Sequence, residues 1–246
     1  MFEVLIYKEG MDLPKTGNYF VVAGNGLFMH QDLNVTKAFV KVPNISCLDD
    51  LHVEQSITLD VKKIPADLVW TIKKFFQLVF AKHHAESEVN LYYNPNLQTY
   101  KVHVPNQVVS YSHVGYQRIG VLHIQEMEGY LRVGTIHSHC DFNAFHSSTD
   151  IGDEIDTNGL HVTFGYNDQD NFTITSTVVV NGYRKEVSPL DYLEGITQNG
   201  NFFQLIPHSD GEQTRMLGEA SKWLEKVNPS TLNDDVLLGE SKNANN

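Results

Sequence analysis

The sequence predicts an α/β fold of the α+β kind, with a mixed sheet flanked by helices and a β-rich extension in front of it. Three observations carry that expectation. Behind Pro65, which suits a first helical turn, Leu68, Val69, Ile72, Phe75, Phe76, Val79 and Phe80 recur at helical spacing. After this helix come runs rich in β-branched and aromatic residues, such as AESEVNLYYN, YLRVGTIHSH and LHVTFGYN. Before it, short strand-like runs alternate with turn signals. A helix followed by several strands, one short helix and more strands indicates a mixed sheet domain.

Taken in order, NYFVVAGNGLFMH reads as a hairpin turning at Gly24-Asn25-Gly26. No GxGxxG pattern is present, and no Lys-Ser or Lys-Thr follows these glycines, so a phosphate-cradling loop is disfavoured. The helix behind Pro65 runs out near His83-His84. AESEVNLYYN, TYKVHVPNQVV, IGVLHIQ and YLRVGTIHSH follow as strands, and SSTDIGDE opens a short acidic helix. NFTITSTVVVNGYRKEV is expected to form a hairpin with Asn181-Gly182 at its turn. EQTRMLGEASKWLEKV is an amphipathic helix, followed by a polar tail expected to fray. No internal repeat is visible. These elements divide the chain into a β-rich extension at 1–62, a main domain at 63–207, and a helix with a polar tail at 208–246.

At 246 residues the chain can bury a substantial core. Its 18 basic residues against 30 acids give a net charge of -12, which argues against nucleic acid and favours a partner with a basic face. The segment MFEVLIYKEGMD lacks the basic region and long apolar run of a secretory signal. LVWTIKKFFQLVFAKHH is broken by Lys73 and Lys74 and is too short to span a bilayer, so no membrane role is expected. Two cysteines, Cys47 and Cys140, cannot build a disulfide scaffold, and a reducing cytoplasm fits best.

The chemistry concentrates in GTIHSHCDFNAFHSSTDIGDE, from Gly134 to Glu154. His137 and His139 lie two apart at the end of an apolar strand, where alternate side chains share a face, so both imidazoles can reach one ion. Asp150 falls in the first turn of the short helix and can supply a third ligand. Two imidazoles and a carboxylate suit catalytic zinc, which keeps a position open for water and lowers the pKa of that water toward about 7. Either half of the pattern has a plainer reading, since Ser147 and Asp150 also form a helix-capping pair. The joint spacing, His-x-His-x7-Ser-x-x-Asp, favours the metal.

This stretch resembles the signature of the JAMM (MPN+/JAB) zinc metalloproteases: His-x-His, usually a Pro, six further residues, then Ser-x-x-Asp, with a separate upstream Glu. The resemblance spans roughly residues 65 to 185. It implies a cytidine-deaminase-like JAMM/MPN fold, one Zn²⁺ on His137, His139 and Asp150, and an oxyanion- or water-holding role for Ser147. The implied reaction is hydrolysis of isopeptide or peptide bonds after a ubiquitin-like protein. The upstream Glu falls in HAESEVNLYYN, which offers Glu86 and Glu88 on one face. Glu88 is favoured as general base because the apolar strand follows it directly, while Glu86 lies nearer the helix end.

Cys140 stands where the family often has Pro and is expected to pack away from the site. His146 is expected to be an exposed loop residue, and Asp153, Glu154 and Asp156 a solvated helix face. More narrowly, NYFVVAGNGLF, HAESEV and IHSHCDFNAFHSSTD together are similar to the bacterial JAB proteins of the PRTRC system protein A group. That resemblance implies a bacterial or phage source, with a ubiquitin-like protein or its conjugates and E1-like or E2-like proteins as partners. The rivals are a non-catalytic JAMM-like binding module and a zinc hydrolase of small peptides. HExxH and the paired motifs of zinc deaminases are both absent.

Overall fold

The N-terminal strands assemble into a five-stranded sheet made of β1 (Glu3–Ile6), β2 (Tyr19–Ala23), β3 (Gly26–Asp32), β4 (Thr36–Lys41) and β5 (Ser56–Leu59), in that order. This is seen in a computed structural model of the chain, which describes residues 3–42, 53–116 and 127–230. The expected hairpin is β2–β3, closed by a two-residue turn at Gly24-Asn25 with Ala23 opposite Gly26. Strand alternation gives the sheet two apolar faces. Tyr19, Val21, Ala23, Phe28 and Phe39 form a small cluster on one side, while Ala38, Val40 and Ile57 join the main core on the other.

Helix α1 (Ala66–His83) forms as predicted and buries Val69, Ile72, Phe75, Phe76 and Val79 along one stripe. It stops at His84, which turns left-handed (φ 50°) and donates its N–H to the Phe80 carbonyl at 2.8 Å. The main sheet is mixed, with six strands among the described residues. Its members are β6 (Glu88–Asn94), β7 (Thr99–His103), β10 (Leu131–Ser138), β11 (Gly159–Gly165), β12 (Thr173–Val180) and β13 (Tyr183–Glu186), in the spatial order β13-β12-β11-β10-β6-β7. β10 is central, antiparallel to β6 and parallel to β11. The hairpin at Asn181-Gly182 forms between β12 and β13.

TYKVHVPNQVV is not one strand. It divides into β7 and β8 (Gln107–Val109), with Pro105 between them unable to donate to a ladder. β8 pairs instead with β9 (Val114–Gly115) and, in parallel, with β16 (Val227–Pro229). The segment between β13 and the last helix, for which the sequence reading assigned no element, holds α3 (Pro189–Tyr192) and the hairpin β14 (Ile196–Asn199) and β15 (Phe202–Leu205). Its signal was the Asn199-Gly200 pair, set between runs too short to show alternation.

The other helices among the described residues are the short α2 (Ser148–Glu154) and α4 (Asp210–Leu224), which is capped by Ser209 and Glu212 and lies against α1. Ala220 and Trp223 of α4 enter the main core, with Trp223 edge-on to Phe75 at 5.8 Å. IGVLHIQ, Cys47 and the polar tail after residue 230 lie outside the described residues. No helix among the described residues is long and apolar enough to cross a membrane.

Candidate metal centre

The site is built where β10 ends. Alternation sends Ile136 into the core and His137 to the opposite face, and the neighbouring strands put polar groups on that same face. Glu88 pairs with His137 and Asn90 with Thr135 across β6, while Thr163 lies beside His137 and His161 beside Thr135 across β11. Ser138 is locked to the approach of β6: its amide donates to the Ser87 carbonyl at 2.9 Å, and its Oγ accepts from the Ser87 amide at 2.9 Å.

The loop from His139 to Ser147 is held from beneath by Asn167, which is fully buried. Its Nδ2 donates to the carbonyls of His139 at 2.9 Å and Phe164 at 2.7 Å, and its backbone amide donates to Cys140 at 2.7 Å. The loop then enters α2 through a capping box. Asp150 N donates to Ser147 Oγ at 3.1 Å, and Ser147 N donates to Asp150 Oδ2 at 2.7 Å. The cap and the metal pattern therefore use the same residues, and the cap fixes the carboxylate's direction.

Asp150 faces both imidazoles. Its Oδ1 is 3.6 Å from His137 Nε2 and its Oδ2 is 3.6 Å from His139 Nε2, and the three candidate ligand atoms all lie within 4.8 Å of one another. Tetrahedral zinc with bonds of about 2.0 Å requires ligand atoms about 3.3 Å apart, and the two imidazole–carboxylate gaps of 3.6 Å are near that spacing. His139 Nδ1 donates to the Asn143 carbonyl at 3.3 Å, which leaves the Nε2 lone pair facing Asp150. The ring of His139 also packs between Phe142 and Phe145, at 4.9 and 4.7 Å.

Burial pushes the His137 imidazolium down to about 4, so this ring is neutral and able to act as a ligand at neutral pH. Burial works against the Asp150 charge, but the neighbouring His139 and His137 rings and the Ser147 hydroxyl and amide outweigh it, holding the carboxyl well below its usual range.

Compared with known proteins, the chain matches no family model and no curated protein.

The remaining predicted residues fall as follows. Glu86 is 7% exposed, and its Oε1 is 3.9 Å from His139 Nε2. Glu88 lines the same cleft, and its Oε1 accepts the Tyr116 hydroxyl proton. Ser147 also lines the cleft. Cys140 is buried outside the ligand trio, its Sγ 3.4 Å from the Tyr111 carbonyl.

Two expectations are corrected. His146 is not an exposed loop residue, since its side chain is 8% exposed and Nδ1 lies 3.2 Å from Glu154 Oε1. Glu154 is not on a solvated face either, because α2 turns it inward to meet Arg184 of β13 at 2.5 Å. Asp153 and Asp156 are exposed as expected.

Sequence reading missed Thr163, whose Oγ1 is 3.3 Å from His137 Nε2, and His161, whose Nδ1 is 3.1 Å from Thr135 Oγ1. Alternation in GLHVTFG, with His161 and Thr163 set between Leu160, Val162 and Phe164, was an available signal. Asn167 and Arg132 carried none that periodicity exposes.

Proposed function

We propose that the chain is a zinc-dependent amide hydrolase of the JAMM type, with the corresponding cytidine-deaminase-like fold. Its substrate would be an isopeptide or peptide bond after a ubiquitin-like protein, in the cytoplasm of a bacterial ubiquitin-like system that includes E1-like or E2-like proteins. The observation that carries this reading is the convergence of His137, His139 and Asp150, with the buried Glu86 beside them in an open cleft of about 320 Å³. Zinc held by these three residues would supply Lewis acidity and an acidified water.

The chain's own groups would do the rest. A general base must lie within reach of the attacking water, and of the two glutamates Glu86 has the better geometric support. Its Oε1 approaches His139 Nε2, whereas the Glu88 carboxylate accepts from Tyr116. Glu86 would take a proton from water and return it to the leaving amine nitrogen. Ser147 Oγ accepts from the Asp150 amide with a lone pair, so its proton can be donated to the carbonyl oxygen as charge develops there. The Asn143 carbonyl, accepting from Nδ1, would hold the His139 imidazole in orientation.

The test compares Glu86→Gln with Glu88→Gln on a ubiquitin-like fusion cleaved at its C-terminal glycine. E86Q is expected to keep its zinc and lose at least about 100-fold in kcat, the scale of a general base, with a smaller loss for E88Q. Full activity in E86Q would remove Glu86 from the mechanism. No turnover by the zinc-loaded native protein on any such fusion would count against the substrate class.

A further inference from the structure

The cleft extends past the ligand trio to Arg132, the one Lys or Arg among the described residues that line it. A register shift puts it there. Arg132 pairs with Tyr92 and Gly134 with Leu91, so Val133 is an extra residue in β10. The bulge turns Arg132 onto the face that carries Thr135 and His137. Gly134 makes the bulge possible, since a Cβ at this position would lie 1.8 Å from the Leu160 carbonyl oxygen.

Arg132 then leans toward the ligand trio. Its Nε donates to Asn90 Oδ1 at 2.9 Å, and Asn90 Nδ2 is 3.4 Å from the Tyr116 hydroxyl that serves Glu88. This chain of bonds fixes the guanidinium from its Nε side. Among the described residues, Nη1 and Nη2 have no hydrogen-bond acceptor and no carboxylate at ion-pair distance. That is notable for a half-buried cation in a chain with 30 acids and 18 basic residues. A guanidinium presents parallel donors that match a carboxylate, and a site that excludes water strengthens the match.

We infer that Arg132 binds a carboxylate of the substrate, supplied by the C-terminus of a peptide or by an Asp or Glu side chain. Glu88 and Tyr92, which mark the His137 and Arg132 levels, are about 13 Å apart along the strand. The arginine reaches back over part of that span, which puts the carboxylate one or two extended residues from the bond to be cleaved. Its place in cleavage rests on the hydrolase reading, whereas recognition of the carboxylate does not.

The experiment titrates the full-length protein, with and without zinc, with three peptides followed by ¹H–¹⁵N shifts: acetyl-Gly-Gly-Gly as the free acid, acetyl-Gly-Asp-Gly-amide, and acetyl-Gly-Gly-Gly-amide. In the metal-free protein one of the two acids is expected to bind about tenfold tighter than the neutral amide. Which acid wins identifies the source of the carboxylate. R132Q is expected to abolish the difference and R132K to keep part of it, with zinc uptake unchanged in both. H137A, expected to lose zinc, should keep the preference, whereas a native protein that takes up no zinc yet discriminates acid from amide would remove the hydrolase reading and leave this one standing. Equal binding of the three peptides by the native protein overturns the inference, as does an undiminished preference in R132Q. If R132Q does not fold, the native comparison decides alone.

Discussion

Glu154 shows what a single residue's position can hide. In SSTDIGDE it reads as one more surface acid, yet it is 6% exposed and answers to Arg184, thirty residues away on β13. Two hydrogen bonds hold that guanidinium, to Glu154 at 2.5 Å and to Thr177 Oγ1 at 3.1 Å. Burial alone would raise the Glu154 carboxyl, but His146, His161 and Arg184 together keep it below its usual value. Arg184→Met is therefore expected to leave a buried carboxylate whose remaining charged neighbours among the described residues are His146 and His161, destabilising the fold by about 3 kcal/mol in urea unfolding. A loss under about 0.5 kcal/mol would show that the pair contributes no more than a surface contact. The zinc-ligand candidates were legible because strand alternation and helix capping each fix a spacing within a few residues. Glu86 and Glu88 were not separable, because residues two apart on a strand share a face and only the partners across the sheet differ.

At the scale of elements, α1 was legible from its apolar stripe but its polar exception was not. Lys73 lies within that stripe at 1% exposure, with Nζ 3.3 Å from both the Tyr166 carbonyl and Asn167 Oδ1 and 4.9 Å from the centre of the Phe172 ring. It thereby braces the asparagine that holds the His139 loop. Burial, helped by the charge of Lys74, pushes its ammonium down to about 7 against the opposing pull of Asp168 and Asp170. The unfolded chain keeps the lysine proton to about pH 10.4. Between pH 7 and 10 the unfolded state binds the extra proton, so stability should rise with pH across that window and fall as pH drops through 7. Lys73→Met should flatten the profile, measured by urea unfolding at pH 7, 8.5 and 10. An equal slope in the native protein and K73M would assign the pH dependence elsewhere. The bulge in β10 was equally hidden, because LRVGTIHS alternates acceptably in either register, and only the approach of Gly134 to Leu160 requires the extra residue.

Across the whole molecule, the order of elements gave the mixed α/β class, since a helix-first run of strands leaves few other ways to cover a sheet. Strand partners were not readable, because β10 takes its parallel neighbour β11 from beyond α2 and its antiparallel neighbour β6 from about forty residues earlier. This sheet and α2 together bring His137, His139 and Asp150 to one place, the proposed zinc site. It is tested most directly by measuring bound zinc per chain after loading and desalting, in native protein and in H137A, with folding checked by circular dichroism. Close to one zinc is expected in the native protein and almost none in H137A. A folded native protein that retains no zinc, or an H137A protein that retains as much, would contradict it.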